Sequence, residues 1–386
     1  MLAAAGCAPR GQLTVVDAAP VGATEVRLHT VTSRNLAEDG LPGAGRADRL
    51  SYHKVGILLP PERDVGELRW GGTGRIDPNR HITASRVQPL DGTAGFQRSL
   101  RDDLRRTGTR EREVLVFVHG YNTNFAEATA RFAQMMHDMR LPAVPVLFSW
   151  PSQARALGYV YDRDSVLISR DRLRQLLLEV RAAGADRILL AAHSMGAQLV
   201  METLVQADLA QPGAAARLAD SVVLISPDIS VDVFLSQLSQ ISRIPQSLIV
   251  FTSAEDQALR LSTLVAGNSP RLGKPSTDPR LDDTGAIFLD VTAFNDRAHG
   301  DFGHLTVGTS PALIAMVPQL RDAARALGSG ASSHPGAFGG NTVDHSFGGR
   351  HSTDRRTMTA GSARSIIGTP RGATAIPALV PAGLRR

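Results

Sequence analysis

The side chain best placed to do chemistry is Ser194. An apolar run, Ile188 to Ala192, is short enough to be a buried parallel strand. From Gly196 the pattern changes, and Leu199, Val200, Thr203, Leu204 and Ala207 recur as one face of a helix. Between them lies Ala192-His193-Ser194-Met195-Gly196. A serine with small flanking residues on a sharp strand-to-helix turn is a nucleophile elbow, usually Gly-x-Ser-x-Gly, with Ala192 here in place of the first glycine. Small flanks are required because the turn is strained and neighbouring backbone packs close to it. The chemistry implied is attack by the hydroxyl and a covalent intermediate on the serine.

A serine hydroxyl is a weak nucleophile and needs a base, usually a histidine oriented by a carboxylate. After an elbow serine the acid comes next in the chain and the histidine last. The acids that follow strand-like runs are Asp228, behind Ser226-Pro227, and Glu255 or Asp256, behind Phe251-Thr252-Ser253. The histidines are His299 and His304. His119 and His193 read as structural, and Asp162 and Asp164 as solvent-facing or helix-capping. Trp150 reads equally as a pocket wall or as a packed core residue. No metal-ligand spacing and no Gly-x-x-x-x-Gly-Lys phosphate loop occurs, so no cofactor and no metal are expected.

The elements that must position these groups alternate. Glu25–Thr32 and Tyr52–Leu59 read as strands of an antiparallel N-terminal edge, followed by loops reaching roughly to Gly95 and a charged amphipathic helix from Phe96 to Arg106. Val114–Val118, Val144–Phe148, the elbow strand, Ser221–Ser226, Ser247–Thr252 and Ala286–Val291 are apolar strands separated by helical sequence or loops. Asn124 is placed to cap a helix carrying Phe125, Ala128, Phe132, Met135, Met136 and Met139 on one face. Leu173, Leu176, Leu177 and Val180 mark another. Ser310-Pro311 opens a last helix, which Pro318 is expected to kink. This pattern predicts an α/β fold with a mostly parallel, doubly wound sheet, whose reactive groups gather at the carboxyl ends of the strands.

The chain of 386 residues has 42% hydrophobic residues and net charge +5, enough apolar sequence for a large core. From Gly328 to Arg386 there are seven arginines and two aspartates, so the whole positive balance belongs to that segment. Its Gly/Ser/Arg composition predicts a disordered tail over 328–386. It lacks interleaved aromatics, and no specific nucleic-acid partner is expected. The single cysteine, Cys7, excludes an internal disulfide. Met1–Ala8 resembles the end of a lipoprotein signal without its basic and long apolar regions. If the true start lies upstream, residues 1–20 are a residual signal and linker and a lipidated Cys7 attaches the protein to a membrane; otherwise the expectation is a cytoplasmic protein. Residues 21–327 are expected to form the folded domain.

The segment from about Glu25 to Leu327 resembles the bacterial alpha/beta-hydrolase family of largely uncharacterised, esterase-like proteins. The motifs are F-V-H-G-Y-N (Phe117–Asn122), F-S-W-P-S (Phe148–Ser152), G-Y-V-Y-D-R-D-S (Gly158–Ser165), A-H-S-M-G (Ala192–Gly196), S-P-D-I-S-V-D-V-F (Ser226–Phe234) and D-Q-A-L-R-L-S (Asp256–Ser262). The closing pattern, a histidine six residues before Ser-Pro, matches His304 and Ser310-Pro311. The resemblance implies an alpha/beta-hydrolase fold and a small-molecule ester as substrate. It also implies a triad of Ser194 as nucleophile, Asp256 as acid and His304 as base. Asp228 and His299 are the alternatives for the last two. Oxyanion donors are expected at the backbone N–H groups of Tyr121 and Met195. Family members are often envelope lipoproteins, which bears on Cys7. The same triad would serve an acyltransferase, and a hydrolase fold can also act as a non-catalytic envelope scaffold.

Overall fold

The computed structural model describes residues 10–71, 76–108, 111–265, 269–294 and 304–317. The chain divides into two units, Met1–Ser332 and Ser333–Arg386. Cys7, His299, Pro318 and the segment 328–386 lie outside the described residues.

The first unit is built on a nine-stranded sheet. In chain order its elements are β1 (Thr24–Leu36), β2 (Pro42–Leu59), β3 (Thr83–Pro89), α1 (Gly92–Arg106), β4 (Glu113–Val118), α2 (Phe125–Asp138), β5 (Val144–Ser149) and α3 (Tyr159–Ala182). They continue with β6 (Arg187–His193), α4 (Met195–Ala210), α5 (Ala214–Leu218), β7 (Ser221–Ile225), α6 (Val231–Ser239), β8 (Ser247–Thr252), α7 (Gln257–Val265), β9 (Ile287–Asp290) and α8 (Thr306–Thr309). A further helix covers 311–317.

Across the sheet the order is β3-β2-β1-β5-β4-β6-β7-β8-β9. The pairs β3–β2 and β2–β1 are antiparallel, and every pair from β1–β5 to β8–β9 is parallel. This is the mostly parallel sheet with an antiparallel N-terminal edge that the sequence predicts. One strand was not legible: β3 lies in the stretch read as loop. Thr83-Ala-Ser-Arg-Val-Gln-Pro89 has little apolar alternation, and its ladder to β2 is what makes it a strand.

Parallel strands covered on both faces need apolar residues at every position, and β4 is buried throughout. Val114, Val116 and Val118 face one core with α1, α3, α4 and α6. Leu115 and Phe117 face the other, with α2 and the 311–317 helix. α2 begins at a capping box in which Asn124 Oδ1 accepts the Glu127 N–H and Glu127 accepts the Asn124 N–H. Glu127 also receives Arg10 and the Gly11 N–H, while Val16 N–H bonds to Ala84 O, so residues 10–16 are tied to α2 and β3. At the 311–317 helix the Ser310 hydroxyl accepts the Leu313 N–H at 3.5 Å.

Candidate active site

The carboxyl ends of β4, β6, β7 and β8 converge because all run parallel in adjacent positions of the sheet. Ser194, between β6 and α4, has φ 52° and ψ −123°, a positive φ that a serine rarely adopts. Its N–H bonds to Ile225 O on β7, and its carbonyl accepts the Asp228 N–H. Two glycines are set by close approach here. A Cβ on Gly120 would meet Ser194 Cβ at 2.9 Å, and one on Gly196 would meet His119 O at 2.3 Å. The loop after β4 therefore lies directly against the elbow.

Asp256 is fully buried at the end of the β8 turn. One of its oxygens accepts the Leu259 N–H in the first turn of α7, and the other accepts from His304 Nδ1 at 2.8 Å. One carboxylate thus caps a helix and holds an imidazole. The His304 carbonyl accepts from His193 Nε2 at 3.0 Å, and the two rings lie 4.5 Å apart. His193 precedes Ser194, so the histidine loop hangs from the elbow itself. The sequence suggested only a structural role for His193; its bond to the His304 backbone needed the structure to be seen.

Asp228 takes no part in the His304 contact. Its carboxylate accepts from Tyr159 Oη at 2.9 Å and Ser262 Oγ at 2.8 Å. Arg271 Nε lies 3.3 Å from it, as an ion pair without hydrogen-bond alignment. Glu255 is half-buried next to Asp256. Of the three candidate acids, the fold brings Asp256 to His304 and commits Asp228 to Arg271.

The N–H of Met195 opens α4, where helix N-termini favour negative charge. Neither it nor the Tyr121 N–H has a protein acceptor among the described residues. The residues around Tyr121 are held firmly. His119 is buried and stacks on Trp150 at 5.1 Å, and Trp150 Nε1 donates to His119 O at 2.7 Å. Trp150 is a fully buried support for this loop and not a pocket wall. Asp162, expected at the surface or at a cap, is also fully buried; it accepts from Ser152 Oγ, Gln153 N and Asn122 N. The expectation failed because the loop bends back over the start of α3 and supplies the donors. Tyr121 Oη donates to the Arg155 and Ala156 carbonyls, and burial pushes its pKa up to about 12.

Burial favours the neutral form of His29, His53, His119 and His193. His119 is pushed down to about 3 by desolvation and by Arg34. His29 is pushed down to about 4 by desolvation. His53 and His193 are lowered for the same first reason. A histidine whose folded pKa lies below the unfolded value lets the unfolded chain bind the extra proton. Its stabilisation is complete above about pH 6.5 and lost as pH falls towards the folded value. His29 alone corresponds to roughly 3 kcal/mol by pH 4. Asp162, raised by burial, works in the opposite direction but only near the carboxylate range. The melting temperature is therefore expected to fall between pH 7 and pH 5; a constant value over that range would contradict the buried neutral histidines.

Among the described residues no group of His, Cys, Asp and Glu is arranged to hold a metal ion, and no helix is long and apolar enough to cross a membrane.

In sequence the chain is 31% identical over 121 residues to an uncharacterized protein of Nostoc sp., alr1448, covering 25% of this chain and 32% of that protein. It thus spans about a third of that relative's length. Among solved structures it is similar to a thermostable esterase from Pseudomonas putida, with 12% identity, TM-score 0.36, and 77% and 81% of the two chains covered. It is also similar to an esterase of Pyrobaculum calidifontis, with 14% identity, TM-score 0.33, and 62% and 93% covered. Residues 93–321, more than half of the chain, match the family described as alpha/beta hydrolase of unknown function (DUF900), and the chain belongs to that family.

Proposed function

We propose that this hydrolase is a serine esterase that cleaves carboxylic esters through an acyl-serine intermediate. The observation that carries the reading is the 2.8 Å bond that His304 Nδ1 donates to Asp256, with the His304 backbone anchored to the residue before a strained Ser194. With Nδ1–H held by the carboxylate, His304 Nε2 is the basic nitrogen. In this reading Ser194 Oγ attacks the ester carbonyl carbon as His304 takes its proton. The carbonyl oxygen becomes an oxyanion between the Tyr121 and Met195 N–H groups. Collapse of that intermediate expels the alcohol, which takes the proton from His304. Water, deprotonated by His304, then attacks the acyl group and releases the acid and Ser194.

The chain passes from the end of β7 at Ile225 to α6 at Val231 with only Ser226–Ser230 between, which leaves no inserted lid domain there. Tyr121 and Tyr159 meet edge to face, with rings 5.4 Å apart, where the β4 loop meets α3. The short β7–α6 connection supports a small, soluble ester as substrate.

The test is covalent labelling with a fluorophosphonate probe. Wild-type protein is expected to label at one site, and Ser194→Ala to lose labelling and ester turnover together. Undiminished labelling of Ser194→Ala would overturn the reading.

A further inference from the structure

Two charged side chains buried beside the Tyr121 loop have no role in the triad. Arg34, on β1, is almost completely buried. Its Nε donates to Ser149 Oγ at 2.9 Å, Nη1 to Gly43 O at 3.1 Å and Ser152 O at 2.8 Å, and Nη2 to Thr123 O at 2.8 Å. Nη2 also lies 3.4 Å from His119 Nε2. Burial lowers its pKa to about 10, so it remains charged at neutral pH. Asp162, near the start of α3, is the complementary buried charge. Ser152 joins the two: its carbonyl accepts from Arg34, its hydroxyl donates to Asp162 at 2.6 Å, and the same hydroxyl accepts the Thr123 N–H at 3.2 Å.

These bonds fall on both sides of one peptide. The Asn122 N–H points to Asp162 at 3.4 Å, and Thr123 is held through its N–H by Ser152 and through its carbonyl by Arg34. Ahead of Tyr121, the Gly120 carbonyl faces His119 Nδ1 at 2.9 Å, and the His119 carbonyl accepts from Trp150. Asn122 sits at φ 54°, a left-handed conformation that surrounding bonds must maintain. The backbone groups flanking the Tyr121 N–H are fixed, and that N–H has no protein acceptor among the described residues. Burying two charges is expensive unless every donor and acceptor is satisfied, and here, apart from the Gly43 carbonyl on β2, the partners belong to the Tyr121 loop, to β5 and to the segment that follows β5.

We propose that Arg34, Ser152 and Asp162 are positioning residues that preorganise the Tyr121 N–H as an oxyanion donor. The proposal rests on the serine-esterase reading above. It assigns a task to F-S-W-P-S and G-Y-V-Y-D, two of the motifs that carry no triad residue. A donor already aimed at the developing charge needs no reorganisation during the reaction, and loss of one such donor lowers turnover by about 10²- to 10³-fold. A donor left in place but misaimed should lose part of that, about 10- to 100-fold.

Fluorophosphonate labelling, resolved into its maximal rate and its half-saturating probe concentration, separates positioning from simple stability. Ser152→Ala removes the hydroxyl that joins Thr123 to Asp162 while keeping the carbonyl that accepts Arg34. It is expected to lower the maximal rate about 10- to 100-fold with half-saturation within about twofold. Asp162→Asn should behave alike. Ser169→Ala, which removes an equally buried hydroxyl bonded among the described residues only to Ser33, should leave the rate unchanged. Should Ser152→Ala and Asp162→Asn both label at the wild-type rate, with only the melting temperature lowered, the residues are structural and the proposal fails. Should the wild type itself not label, the esterase reading fails and the proposal falls with it. Labelling of the wild type thus separates the two failures.

Discussion

His304→Ala is expected to lower kcat/KM for an activated ester by about 10⁴- to 10⁶-fold, because the serine loses its proton acceptor while oxyanion stabilisation remains. His299→Ala is expected to cost tenfold or less, about 1.4 kcal/mol of transition-state stabilisation. The difference rests on geometry around one residue. His304 receives Asp256 on its Nδ1, offers its carbonyl to His193, and stands immediately before α8. Its position is thus fixed by a side-chain bond, a backbone bond and the helix that follows. Kinetics of the two variants, with folding checked by melting temperature, settle the assignment. A larger loss for His299→Ala would show that the base had been misassigned.

The second large effect separates two buried aspartates that look equivalent in sequence. Asp256→Asn should reduce kcat by about 10⁴-fold, since an amide can no longer hold the imidazole in the tautomer that leaves Nε2 basic. Its remaining oxygen can still accept the Leu259 N–H, so the helix cap survives in part and the fold is little disturbed. Asp228→Asn should do the reverse. It leaves the Arg271 guanidinium buried without its counter-charge, which costs about 3 kcal/mol. For a domain of this size that lowers the melting temperature by roughly 5 °C. Turnover by the folded fraction should stay within about tenfold of wild type, because Asp228 touches Ser194 only through backbone. If Asp228→Asn lost the larger share of kcat, the acid would have to be reassigned and the Asp256–His304 bond read as structural.

In the esterase reading proposed above, substrate choice falls to the loops after β4, β5, β7 and β8, which follow the carboxyl ends of the strands. Tyr121, Tyr159, Asp228 and Arg271 come one each from those four connections. Each is a place where members of one fold can differ without disturbing the strands beneath them.

Much of this was written locally. The strand–serine–helix transition at Ser194, the apolar runs of β4 to β8 and the caps at Asn124 and Ser310 are set by residues within a few positions of one another, so periodicity and capping chemistry reveal them. The parallel sheet followed from their alternation. β3 did not follow, because a strand with little apolar pattern is defined by its neighbour's hydrogen bonds. The pairing of Asp256 with His304 spans 48 residues, and the sequence offered Asp228 and His299 beside them. Only the stacking of strand ends brought one acid to the histidine and gave the other to Arg271. Arg34 and Asp162 were the least legible: a charged residue reads as surface unless its partners are known. Their partners at Gly43, Asn122–Thr123 and Ser152 are drawn from three separate stretches of chain. A buried charge is tolerated only where dipoles converge from several directions, and that convergence is a property of the assembled fold.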